Sequence, residues 1–142
     1  MKISLVAPDY SVAGQIAESD LADLAADGFK TIICNRPDAE VDADLHQEFI
    51  AAEAKRLGMA FVYNPVSNQG MTMENLTLQA EAIATANGPV LAYCRSGMRS
   101  TVVWSLVSAG RLPVDDILAA AAGAGYQIDN LRGQIEAMAT RG

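Results

Sequence analysis

Histidine and cysteine are nearly missing from this chain, which has one His, His46, and two Cys, Cys34 and Cys94, in 142 residues. A zinc site built from Cys and His spacing is thereby excluded, as is a disulfide framework. No apolar run approaches the roughly 18 residues that span a bilayer, so no membrane partner is expected. The opening Met1–Val6 is too short an apolar run for a secretory signal, and Pro8-Asp9 interrupts it, which makes a cytoplasmic location the expectation. Positive charge is scarce too: ten Lys and Arg stand against seventeen acids, a net charge of −7, which argues against a nucleic-acid partner. There is no internal repeat, low-complexity tract or linker. What remains is 51% apolar and 19% charged, the profile of one globular domain over residues 1–142.

Short apolar runs alternate with helical patterns, the signature of an α/β fold. Ser19 is placed to cap a helix carrying Leu21, Leu24 and Ala25 and closed by Gly28. The strand Lys30–Cys34 ends at Asn35-Arg36-Pro37-Asp38. A second helix is expected over Ala43–Leu57, with Leu45, Phe49, Ala52 and Leu57 on one face, and a strand over Met59–Tyr63. A third helix starts near Met73 behind Thr72 and stops at Asn87-Gly88. The strand Val90–Tyr93 leads through Cys94 into a loop and a helix over Arg99–Ala109, in which Trp104 packs inward. Helical segments follow from Asp115 and Asp129. Strands covered on both faces form a mainly parallel sheet, which gathers ligands at the carboxyl ends of its strands. Three such ends matter: Asn35-Arg36, Asn64–Gly70 and Cys94–Ser100.

The third of these, "YCRSGMRS", carries the chemistry. A strand, a tight loop with Gly97 and a helix start would aim backbone N–H groups and a positive helix terminus into one concavity, an anion cradle. Cys94 at its edge is placed to lose its proton more readily than a free thiol of pKa about 8.5. Arg99 offers a planar fork to bound oxygens. Arg95, Ser96, Gly97, Met98 and Ser100 complete the anion-binding set. Auxiliary candidates are Arg36 at a strand end, Asp38 as a proton donor, and the orienting amides Asn68 and Gln69. Cys34 reads either as core or as a thiol that resolves an oxidised Cys94.

The loop resembles the active-site loop of rhodanese-type sulfurtransferases. The rest, in "VAGQIAESDLADLAADGFKTIICNRPDAE" and "AFVYNPVSNQGMTMENL", resembles the phosphatase-like domain of beta-lactamase hydrolase-like proteins. That resemblance implies a tyrosine/dual-specificity phosphatase-like fold with a central mainly parallel sheet flanked by helices. Two departures stand out. The phosphatase signature has His before the cysteine and Arg six positions after it, whereas here Tyr93 precedes and Arg99 follows after five. Family phosphatases also draw a general acid from a neighbouring loop, and Pro65–Met71 contains no carboxylate.

Sulfur transfer through a Cys94 persulfide is therefore the favoured reading, with a sulfane sulfur donor and a thiol acceptor as partners. The alternatives are phosphate-ester hydrolysis through a phosphocysteine and a non-catalytic anion-sensing or interaction domain. In each the partner is a small anion, and no cofactor or metal is called for.

Overall fold

The structure is a computed structural model that describes residues 1–67 and 70–141, the last of these by its backbone only. Five strands, β1 (Ile3–Ala7), β2 (Tyr10–Ala13), β3 (Thr31–Cys34), β4 (Ala60–Tyr63) and β5 (Val90–Tyr93), form one sheet in the order β1-β2-β5-β3-β4. The three inner pairings are parallel, and β1 joins β2 as an antiparallel edge. The sheet is thus mainly parallel but mixed. The opening segment, which lacks a strong alternating pattern, is the antiparallel hairpin arm.

The helices are α1 (Leu21–Ala26), α2 (Gln47–Arg56), α3 (Met73–Thr85), α4 (Met98–Ser108), α5 (Val114–Gly123) and α6 (Arg132–Arg141). Alternate strand residues feed the two faces, because successive side chains point to opposite sides of a strand. Ile32, Cys34, Leu91 and Tyr93 pack with Leu21, Leu24 and Ile50 of α1 and α2. Tyr10, Val12, Ile33, Val90 and Ala92 pack on the other side with Trp104 of α4 and Ile117 of α5. Trp104 stacks on Tyr10 with ring centroids 6.4 Å apart.

Three expected details are corrected. Ser19 does not cap α1; it lies in a 3-10 turn, Glu18–Asp20, and the Asp20 carboxylate instead accepts from the Ala17 N–H at 2.9 Å. The helix expected over 43–57 is broken at His46, which has extended backbone (ψ 148°), so a 3-10 turn at Ala43–Leu45 precedes α2. The cause lies outside the periodic pattern: the Asp38 carboxylate accepts from the Gln47 N–H at 2.8 Å and fixes the helix start there. As a consequence Phe49 is exposed and Ile50 and Ala54 form the buried face. Thr72, by contrast, caps α3 as its position predicts, its hydroxyl accepting from the Asn75 N–H at 3.2 Å, a bond worth about 1 kcal/mol.

Candidate active site

Strand β5 is buried along its whole length and releases the chain at Cys94, whose residue is 1% exposed. The chain then turns back sharply. Gly97 takes φ +92°, a left-handed conformation costly for any residue with a Cβ, and its N–H donates to Cys94 Sγ at 3.1 Å. Helix α4 starts at the next residue, so its positive end stands behind the sulfur. The loop is packed from both flanks. A Cβ on Gly97 would collide with the Tyr126 hydroxyl, and one on Gly14 would lie 2.9 Å from the Arg95 carbonyl oxygen. These glycines let the backbone pass where a side chain would block it.

Arg99 leaves the first turn of α4 and bridges to two other strand ends. Its Nη1 donates to Glu40 Oε2 at 2.9 Å and to the Val66 carbonyl at 2.6 Å, and its Nη2 donates to Glu40 Oε1 at 2.7 Å. Five N–H groups are available on a guanidinium, and these contacts take the Nη1–Nη2 end. A further side-chain hydrogen bond joins Arg99 to Cys94, so the guanidinium links Glu40, the Val66 carbonyl and the sulfur. Hydrogen bonding from Arg99 first, with further help from Arg36, holds the Glu40 carboxyl below the usual carboxylate range. Glu40 in turn, and Cys94 to a lesser degree, favour the charged form of Arg99. Glu40 is thus ionised and acts as a brace for Arg99.

Behind the loop lies a buried network of amides. Gln79, completely buried on α3, donates to Tyr10 Oη at 3.0 Å and Asn35 Oδ1 at 3.2 Å, and accepts from Asn35 Nδ2 at 3.0 Å and Asn64 Nδ2 at 2.8 Å. All four of its hydrogen-bonding positions are filled. Asn35 and Asn64 follow β3 and β4 directly, so the network ties the ends of those strands to α3. Tyr10 Oη donates to the Ser100 carbonyl at 2.8 Å, and Ser100 Oγ donates to Asn35 Oδ1 at 2.9 Å, which extends the tie to the first turn of α4.

Of the residues singled out in the sequence, the fold brings Cys94, Gly97 and Arg99 together, with Arg95, Ser96 and Met98 exposed around them. Ser100 is used otherwise than expected: it is completely buried and spends its hydroxyl proton on Asn35. Asp38 likewise serves as the cap of α2, while its N–H donates to Tyr63 Oη at 2.9 Å. Arg36 reaches the same neighbourhood through Glu40, donating to Oε1 at 3.3 Å, and also donates to Gln15 Oε1 at 3.3 Å. Asn68 and Gln69 lie outside the described residues. Cys34 is a core residue: its thiol donates to the Arg36 carbonyl at 3.2 Å, and burial pushes it up to about 11. Three contributors escaped the sequence reading. Glu40 and Tyr126 belong to no local motif, whereas Gln79 gave a signal, an amide on the apolar face of α3 between Leu76 and Ala82.

The profile of the family described as "Beta-lactamase hydrolase-like protein, phosphatase-like domain" matches residues 2–111. Beta-lactamase hydrolase-like proteins are 30% identical over 130 residues in Xylella fastidiosa (strain Temecula1) and 33% identical over 119 in Agrobacterium fabrum (strain C58). These alignments cover 90% and 82% of this chain, but only 30% and 28% of the relatives' own length. Among solved structures, a Neisseria meningitidis Z2491 protein provisionally assigned as a phosphatase superposes with TM-score 0.83 at 31% identity, covering 97% of this chain and 99% of that one. Kinase associated phosphatase, solved with its catalytic-site cysteine replaced by serine, superposes with TM-score 0.77 at 11% identity, covering 99% and 95%. The fold is that of tyrosine and dual-specificity phosphatases, and the chain belongs to the beta-lactamase hydrolase-like phosphatase-like domain family.

Proposed function

We propose that this domain is a cysteine-dependent phosphatase acting through a phosphocysteine at Cys94. One observation carries the reading: Cys94 Sγ receives the Gly97 N–H at 3.1 Å at the start of α4, whose first turn supplies an Arg99 that also hydrogen-bonds to Cys94. A thiolate held this way attacks the phosphorus of a bound ester. The P–O bond to the leaving group breaks as the S–P bond forms, and the alkoxide or phenoxide takes a proton. Water then attacks the phosphocysteine, returning the thiolate and releasing phosphate. Loop N–H groups and Arg99 would neutralise the charge on the phosphoryl oxygens, the kind of stabilisation worth about 3–4 kcal/mol per well-placed donor.

A second reading has its own support. Asp38 is occupied as a helix cap, the loop 65–71 contains no carboxylate, and the step from Cys94 to Arg99 is five residues. Sulfur transfer fits that short loop and needs no protonated leaving group. The thiolate attacks the outer sulfur of thiosulfate, sulfite departs with the electron pair of the broken S–S bond, and cyanide takes the sulfur from the resulting persulfide as thiocyanate.

Wild type and Cys94→Ser should be assayed with p-nitrophenyl phosphate and, separately, with thiosulfate plus cyanide. An aryl ester suits a site without a dedicated acid, because its phenoxide leaves readily. Phosphate release that falls at least a hundredfold in Cys94→Ser is the expected result. Thiocyanate formation without phosphate release would overturn the phosphatase reading in favour of sulfur transfer, and turnover that survives in Cys94→Ser would remove both.

A further inference from the structure

A trans peptide sends its C=O and its N–H in opposite directions, so whatever holds the carbonyl of one residue also aims the N–H of the next. Two consecutive carbonyls of the Cys94 loop are held from outside. The Arg95 carbonyl accepts from the Gln15 N–H at 3.4 Å, a long contact, and the Ser96 carbonyl accepts from Tyr126 Oη at 2.8 Å. The second is the tighter hold, and its consequence is visible: the N–H of the Ser96–Gly97 peptide points the other way, to Cys94 Sγ at 3.1 Å.

Tyr126 arrives from the turn after α5, beyond residues 2–111 that match the family profile. The preceding Gly125 takes φ +101°, and the Tyr126 N–H donates to the Ala121 carbonyl at 2.9 Å, so the end of α5 fixes where the ring emerges. The hydroxyl can reach Ser96 because Gly97 has no Cβ to obstruct it. From this geometry we infer that Tyr126 is a positioning residue for the nucleophile: its hydroxyl holds the Ser96–Gly97 peptide in the orientation that turns the Gly97 N–H onto the Cys94 sulfur. The inference rests on Cys94 being the nucleophile.

Among the described residues, ionisable groups that interact electrostatically with Cys94 include Arg99 from α4, Tyr10 from β2, Cys34 from β3 and Tyr126 itself. Of these, Arg99 alone is charged at neutral pH. Removing the Tyr126 hydroxyl changes no charge near the sulfur. A change in thiolate formation must then come through the backbone.

The experiment is the pH profile of iodoacetamide alkylation at Cys94, read by mass spectrometry, for wild type, Tyr126→Phe and a control, Tyr63→Phe. The control removes a tyrosine hydroxyl that also contacts backbone, at Asp38. Freed of its anchor, the peptide can turn its N–H away, and losing one N–H···S contact of about 1 kcal/mol corresponds to a fivefold loss of thiolate. The expected result is a three- to tenfold slower alkylation of Tyr126→Phe at pH 7, converging with wild type at high pH, and no change in Tyr63→Phe. Coincident profiles for wild type and a folded Tyr126→Phe would overturn the inference while leaving Cys94 a nucleophile. A Tyr126→Phe chain without native circular dichroism would overturn it too, since the hydroxyl would then serve the scaffold. A wild-type profile that rises only above pH 8.5 would instead sink the nucleophile reading beneath it.

Discussion

Glu40→Gln tests the brace on Arg99, since it keeps the side chain's shape and removes its charge, and it loosens the longer Arg36 contact at the same time. In the wild type two charge-assisted hydrogen bonds of 2.9 and 2.7 Å join the carboxylate to the Nη1–Nη2 end. The Arg99 and Glu40 side chains are 12% and 28% exposed, so the pair is screened less than a surface ion pair but is not fully desolvated. Exposed pairs contribute roughly 0.2–1 kcal/mol and hydrogen bonds to charged groups about 1.5–3. A bidentate pair at this depth belongs between, at about 1–2 kcal/mol. Glutamine can accept one bond with Oε1 but presents an N–H₂ donor to the second guanidinium N–H. Arg99 keeps the Val66 carbonyl, at 2.6 Å, so the guanidinium is loosened and not lost. If Arg99 must face the transferred group, kcat/KM on p-nitrophenyl phosphate should fall about 5- to 30-fold, the same energy expressed as a rate. Acid should mimic the variant. Because the Glu40 carboxyl is depressed by its arginines, the brace is complete above the ordinary carboxylate range near pH 4.3 and is lost only as pH falls through the lower folded value. A Glu40→Gln protein with wild-type kcat/KM and a native melting curve would refute the assignment of the brace.

Gln79→Leu should destabilise the fold by about 2–4 kcal/mol in urea titration, because it leaves the buried polar groups of Tyr10, Asn35 and Asn64 short of partners; a loss below 1 kcal/mol would mean that the network rearranges without cost. Cys34, pushed up to about 11 by burial, stays neutral in the folded state while an unfolded thiol ionises near 8.5. Stability should therefore drop between about pH 8.5 and 11, approaching 1.4 kcal/mol per pH unit in mid-range from this group, and Cys34→Ala should flatten that part of the profile.

The strand–loop–helix passage through Cys94 was legible because its determinants are local: an apolar run, a glycine where the chain needs a positive φ, and an arginine in the next helical turn. Thr72 and Gly28 marked helix ends for the same reason. The misjudged start of α2 shows where local reading stops. Its periodic pattern runs on through His46, but the cap comes from Asp38, nine residues upstream and across a turn. Glu40 is further removed, meeting Arg99 across 59 residues of chain. Tyr126 meets Ser96 across 30. Nothing in the composition of either segment announces those contacts: the first depends on the strand order that sets the end of β3 beside that of β5, the second on where the end of α5 delivers Tyr126. Asp38 and Ser100 were singled out for their chemistry, but burial and geometry gave their polar atoms to a helix end and to an amide.

Two cysteines at neighbouring strand ends have different fates because Cys34 is the last residue of β3 whereas Cys94 falls just past β5. Cys34 is in register with Tyr93, so both side chains fall on the face packed by α1 and α2. Cys94 lies one residue past the end of β5, in the bend that leads into α4. One thiol is left among aliphatic side chains with its pKa raised, and the other meets a backbone N–H, a helix terminus and an arginine. The point at which β5 ends, with apolar residues filling both faces of the sheet up to Tyr93, is therefore what separates the surroundings of the two thiols.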